Sequence, residues 1–152
     1  MTLKLISTSF DQGAFIPEKY TCDGANLSLA LKWSDAPAQT KSFMLVCLDP
    51  DAPSGTFHHW AAYNIPADCT GLKEGVKQRD SRFQQAINDF REGGYSGPCP
   101  PNGRPHHYHF RLSALSVGAL ALPESATCAQ VIRAAQPFVI ETAELVGLYA
   151  RR

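Results

Sequence analysis

Ser42-Phe43-Met44-Leu45-Val46-Cys47-Leu48-Asp49, followed directly by Pro50-Asp51-Ala52-Pro53-Ser54-Gly55, decides the fold class. Six apolar residues between two polar ones have the length of a strand, and the Pro- and Gly-bearing stretch behind them ends it. The same punctuation recurs along the chain. Eleven prolines and eleven glycines fall mostly between short apolar segments, too often for a helical bundle, so the chain reads as mainly β. The other candidate strands are 3–7, 27–33, 59–65, 107–116 and 138–149, several of them alternating or rich in β-branched and aromatic residues. One helix is expected from Ser125 or Thr127 to Gln136. A hydroxyl can cap its start, Val131, Ile132 and Ala135 form an apolar stripe, and Pro137 stops it. A short second helix is expected at 83–88.

The 152 residues, 44% hydrophobic and 18% charged, suit one domain over 1–152 burying roughly 70% of its unfolded surface. Fourteen basic residues balance fourteen acidic ones, so no positive field draws the chain to nucleic acid or to anionic membranes. The apolar run from Phe43 to Leu48 falls far short of the roughly 20 residues that span a bilayer, and Met1 to Phe10 has no signal-peptide h-region. The expectation is a cytoplasmic protein. Five cysteines, at 22, 47, 69, 99 and 128, show no metal-ligand spacing and an odd count. That pattern is read as small buried apolar residues in a reducing compartment rather than as bridges or ligands. No metal or cofactor is expected.

All five histidines lie in two windows: His58 and His59 behind the 50–55 turn, and His106, His107 and His109 behind Gly97-Pro98-Cys99-Pro100-Pro101-Asn102-Gly103-Arg104-Pro105. Each window couples a strand to a stiff loop, so their polar residues are expected to converge at one mouth. Pro98, Pro100 and Pro101 leave Cys99 as the one main-chain donor between Gly97 and Asn102, and Pro105 stiffens the loop further. A rigid loop presenting a single amide beside imidazoles suits an oxyanion. Alternation puts His106 and Tyr108 on one face and His107 and His109 on the other; the first pair is read as lining the site. Asp49, at the end of the apolar run, is expected to hold His59. Asp51 reads equally as a turn residue. The segment 69–97, long and without a strong strand, is expected to frame the same site.

Asp49-Pro50-Asp51-Ala52-Pro53 leading to His59-Trp60, and Gly97-Pro98-Cys99-Pro100-Pro101-x-Gly103 leading to His106-x-Tyr108, resemble the two signature regions of the phosphatidylethanolamine-binding (PEBP, raf-kinase-inhibitor-like) family. Matches at Phe10-x-x-Gly13-x-x-Ile16-Pro17, Leu31-x-Trp33 and Glu144-Leu145-Val146-Gly147-x-Tyr149 extend the resemblance over the whole chain, and the Gly-Pro-Cys-Pro-Pro loop is similar to the bacterial YbhB/YbcL-like branch. The resemblance implies a two-sheet, mostly antiparallel β-sandwich with peripheral helices. It also implies an anion pocket formed by Asp49, His59, the Cys99 amide, His106 and Tyr108, walled by Ala52, Pro53, Trp60, Pro100 and Pro101. The Ala52–Pro53 bond is the leading candidate for a cis peptide. Two departures stand out: His107 where the family usually has Arg, and a connector from Ser54 to His58 shorter than in eukaryotic relatives.

The function expected is therefore binding of a small anion such as a phosphate monoester or phospholipid headgroup, without catalysis, with regulation of a protein partner and a homodimer left open. Two alternatives compete with it: a hydrolase using Cys99 activated by His59 or His106, and a protein-interaction module whose pocket is vestigial. No Gly-x-Ser-x-Gly, His-Glu-x-x-His or P-loop motif supports another enzyme.

Overall fold

In the computed structural model, which describes residues 2–151, two antiparallel sheets pack face to face. Met1 and Arg152, the ends of the expected domain, lie outside the described residues. The smaller sheet has the order β1-β2-β5, from β1 (Lys4–Ser7), β2 (Leu31–Ser34) and β5 (Gly71–Leu72). The larger has the order β6-β4-β3-β7-β8, from β3 (Ser42–Asp49), β4 (Phe57–Pro66), β6 (Gln84–Gln85), β7 (His106–Leu115) and β8 (Val139–Tyr149). The mainly-β sandwich expected from the sequence is the fold observed. The second strand is shorter than the expected 27–33, and where a second helix was expected at 83–88 the chain forms the two-residue strand β6.

β3 explains why its apolar run does not alternate: all eight of its residues are buried, because both faces of the larger sheet are covered. Phe43, Leu45 and Cys47 face the smaller sheet with Leu5, Leu31 and Trp33. Met44 and Val46 face the other way, against α1 (Cys128–Ala135). Each such buried side chain contributes about 1.5–3 kcal/mol. The helix matches the sequence reading closely. Thr127 caps it, accepting from the Gln130 amide while the Gln130 side chain accepts from the Thr127 amide, and Cys128, Val131 and Ala135 are buried. Pro137 sits in a following 3-10 turn, Gln136–Phe138, that leads into β8.

β4 does not keep a single alternation. Its pairing with β3 runs Val46 opposite Ala61 and Cys47 opposite Trp60, then Leu48 opposite His58, so His59 is an extra residue in a bulge. A second irregularity lies between Phe43 opposite Ile65 and Leu45 opposite Ala62, where Asn64 takes a positive φ of 57°. The first bulge decides the site.

The cysteine reading is corrected. Cys22 and Cys99 form a disulfide spanning 77 residues, while Cys47, Cys69 and Cys128 are free. The bridge removes the cysteine argument for a reducing compartment, because such bonds persist in oxidising ones. The expected cis proline is corrected too: no cis peptide bond occurs among the described residues.

Candidate functional site

Two strands and two loops meet at one end of the sandwich. The end of β3 delivers Asp49, the start of β7 delivers His106 and Tyr108, and the β4 bulge turns His59 inward beside them. Asp49, Ala52, Pro53, His59, Cys99, Pro100, Pro101, His106 and Tyr108 all line one cavity of about 460 Å³. Trp60 does not. The bulge keeps it on the same face as His59 but one step deeper, fully buried, with its indole N–H donating to Gln85 Oε1 at 2.8 Å and its ring edge-on to Tyr95. It is a core residue rather than a wall.

The acid–base pairing differs from the sequence expectation. Asp49 holds His106: Nδ1 of His106 donates to Asp49 Oδ2 at 2.7 Å, and the Asp51 amide donates to Asp49 Oδ1 at 2.8 Å. His59 is held by the main chain instead, its Nδ1 donating to the Ser96 carbonyl at 2.7 Å. A carbonyl oxygen can only accept, so this contact fixes the proton on Nδ1 and leaves Nε2 for a ligand. Burial pushes the His59 imidazolium below the usual histidine range. The Ser96 carbonyl, the Asp49 charge and then the Gly97 carbonyl and Asp89 charge offset only part of that.

Tyr108 is fully buried and its hydroxyl has no hydrogen-bond partner among the described residues. Burial first, and the charge of Asp49 second, hold the phenol firmly in its neutral, donating form. A buried hydroxyl left unpaired costs about 1–3 kcal/mol. The Cys99 N–H likewise has no acceptor among the described residues.

The Pro-rich loop is stiff by composition and tethered as well. Cys22 N–H donates to the Pro98 carbonyl at 3.1 Å, Gly97 N–H donates to Asn26 Oδ1 at 2.8 Å, and the Cys22–Cys99 bridge closes the contact. Gly97 is required there: a Cβ would stand 2.1 Å from the Tyr20 carbonyl oxygen. While bridged, the Cys99 sulfur is not available as a nucleophile, which the thiol-hydrolase alternative needs.

The 69–97 segment does frame the site. Besides Ser96 it supplies Asp89 and Phe90 to the cavity, and Asn88 braces it through bonds to the Gly94 carbonyl and Ser96 Oγ, both at 3.0 Å. Phe57 and Phe90 meet edge to face at 4.7 Å at the rim, both close to His59. Sequence reasoning missed Phe57, the first residue of β4 ahead of the bulge, and Asp89 and Phe90, which lie on a turn that no periodicity marks. His107 and His109 lie outside the cavity, as alternation predicted. His107 donates through N–H and Nδ1 to Asp51, and that pairing holds the Asp51 carboxyl below its usual range. Asp51 is thus a loop fastener. His58 pairs with Asp89 at 2.8 Å. Among the described residues no group of three or more His, Cys, Asp or Glu could hold a metal ion, and no helix is long and apolar enough to cross a membrane.

Comparison with known proteins agrees with this architecture. The family model for phosphatidylethanolamine-binding protein matches residues 6–150. A UPF0098 protein of Aquifex aeolicus is 43% identical over 98% of this chain and 89% of its own, and one of Methanothermobacter thermautotrophicus is 43% identical over 98% and 99%. The crystal structure of E. coli YbcL, described as a member of the mammalian PEBP family, superposes with a TM-score of 0.94 at 32% identity, covering 100% of both chains. A PEBP homologue from Chlamydia trachomatis gives 0.90 at 36%, covering 99% of each. With both signature regions closing on one cavity and the match running nearly end to end, the chain belongs to the phosphatidylethanolamine-binding protein family.

Proposed function

We propose that the cavity binds the phosphate group of a small anion, a phosphate monoester or a headgroup-like molecule, without turning it over. The observation that carries this reading is the buried, unpartnered Tyr108 hydroxyl at the cavity. Its unpaired state costs free energy that a ligand oxygen would recover. The Cys99 amide on its tethered loop is a second donor, and the two imidazoles leave their Nε2 atoms for the same ligand. With the Cys99 sulfur spent in a bridge, the cavity holds groups that bind and orient but no activated nucleophile beside them.

Calorimetric titration with inorganic phosphate and phosphorylethanolamine tests the proposal, with Tyr108→Phe as the control. Saturable binding weakened by the substitution supports it. Absence of binding to either compound would leave a protein partner, or a second copy of the chain, as the reading to pursue. Cytoplasmic residence, expected from the sequence, stands against the bridged Cys22–Cys99 pair. Thiols counted after rapid alkylation of intact cells test it: free Cys22 and Cys99 fit the cytoplasm, and a bridged pair contradicts it.

A further inference from the structure

Neither Lys nor Arg lines the cavity among the described residues, whereas two carboxylates, Asp49 and Asp89, do. The nearby guanidinium of Arg151, 3.8 Å from the Cys99 sulfur, is paired with Asp23 at 3.3 Å, and a site whose lining holds carboxylates but no permanent positive charge is poorly suited to a dianion. Nor can the histidines be treated as a generic cationic surface. His59 is buried, with its Nδ1 proton committed to the Ser96 carbonyl, so in its neutral form Nε2 is a hydrogen-bond acceptor. The cavity-lining groups left for a ligand are then the Tyr108 hydroxyl and the Cys99 amide as donors, His59 Nε2 as an acceptor, and the Nε2 of His106, whose Nδ1 is committed to Asp49. A ligand that satisfies this set must present acceptor oxygens and also at least one proton of its own.

Resting on the phosphate reading above, we infer that the site selects a singly protonated phosphate, ROPO₃H⁻, whose P–O–H donates to His59 Nε2 while its other oxygens accept from Tyr108 and Cys99. Inorganic phosphate and phosphate monoesters carry that proton. Sulfate, sulfate monoesters and phosphodiesters do not, even at equal charge, and an intact phospholipid headgroup is a phosphodiester. For these ligands His59 would have to take its proton from solvent, against the desolvation that already disfavours the imidazolium. The chemistry common to a free phosphate and a monoester is thereby separated from that of a lipid bearing the same amine.

The test compares methyl phosphate with methyl sulfate and dimethyl phosphate on the full chain at pH 7 by calorimetry, and phosphorylethanolamine with glycerophosphorylethanolamine. Methyl phosphate is expected to bind at least tenfold tighter than methyl sulfate and dimethyl phosphate, and the monoester of ethanolamine tighter than its diester. Above the monoester's second pKa of about 6, affinity for methyl phosphate should fall about tenfold per pH unit, with one proton taken up on binding. His59→Gln, which offers a donor amide, should bring methyl phosphate and methyl sulfate within threefold of each other. Equal affinity of the wild-type protein for these two ligands, with no proton uptake, overturns the inference and leaves the anion pocket standing. Failure of all the compounds to bind overturns the pocket and the inference together.

Discussion

Nδ1 of His106 lies 2.7 Å from Asp49 Oδ2, joining the last residue of β3 to the first of β7 across the floor of the cavity. The side chains are only 12% and 4% exposed, so neither partner has much water to fall back on. Removing one should strand the other. We expect His106→Ala to lower unfolding free energy by about 3 kcal/mol, measured by urea denaturation. The Asp49→Asn, His106→Ala double variant should recover part of that loss. A single variant as stable as wild type would show that Asp49 is satisfied without its imidazole.

Tyr108→Phe should move stability and affinity in opposite directions. It deletes a hydroxyl that is buried without a partner, so the unliganded protein is expected to be unchanged or more stable by about 1 kcal/mol. The ligand's bond is lost at the same time, and affinity for phosphate monoesters should fall about tenfold, equivalent to about 1.4 kcal/mol. Thermal melts with and without phosphorylethanolamine read both effects on one sample. Loss of stability without ligand would mean that the hydroxyl already has a partner.

The Cys22–Cys99 bridge closes a 77-residue loop. Chain-entropy arithmetic assigns such a closure about 4.5 kcal/mol. Cys22→Ser, or reduction by a dithiol, should therefore cost between about 2 and 4.5 kcal/mol, and should weaken ligand binding by loosening the loop that carries the Cys99 amide. Equilibrium unfolding with and without reductant measures the first effect, and titration in the same buffers the second.

Acid sensitivity follows from His59. Its imidazolium is disfavoured in the fold by burial above all, so the unfolded chain binds the proton more readily. Stability is then full above the unfolded pKa near 6.5 and falls as pH drops from there toward the lower folded value. The slope is at most about 1.4 kcal/mol per pH unit. The charged groups around it, Asp49 and Asp89, moderate that loss without reversing it. Urea midpoints from pH 7.5 to 5 should fall more steeply in wild type than in His59→Gln; parallel curves would dissociate the imidazole from the effect.

Much of this was legible in residue order. Asp49 and Tyr108 could be placed because β3 and β7 run without interruption where they approach the cavity, so counting along them gives the right face. Trp60 could not, since counting fails where a strand takes in an extra residue and nothing in His58-His59-Trp60 announces one. The bridge was equally hidden: two cysteines 77 positions apart are brought together by the docking of 97–99 on 20–26, a tertiary event. Asp89 and Phe90 reach the cavity from a segment braced by Asn88, an irregular shape that period-two or helical reasoning does not describe.

The bulge in β4 makes the strand change parity. Phe57 and His59, odd-numbered, face inward at the cavity; Trp60 and Ala62, even-numbered, face inward in the core; beyond the second irregularity Ile65 is inward again. His59 is thus the one residue in this stretch of β4 whose loss would leave every neighbouring pair in step. Deleting its single codon would join His58, opposite Leu48, directly to Trp60, opposite Cys47, and make the β3–β4 ladder continuous from Asp49 to Leu45. Chemistry and scaffold are separable here at the level of the reading frame, and a lineage could discard the imidazole while keeping the sandwich intact.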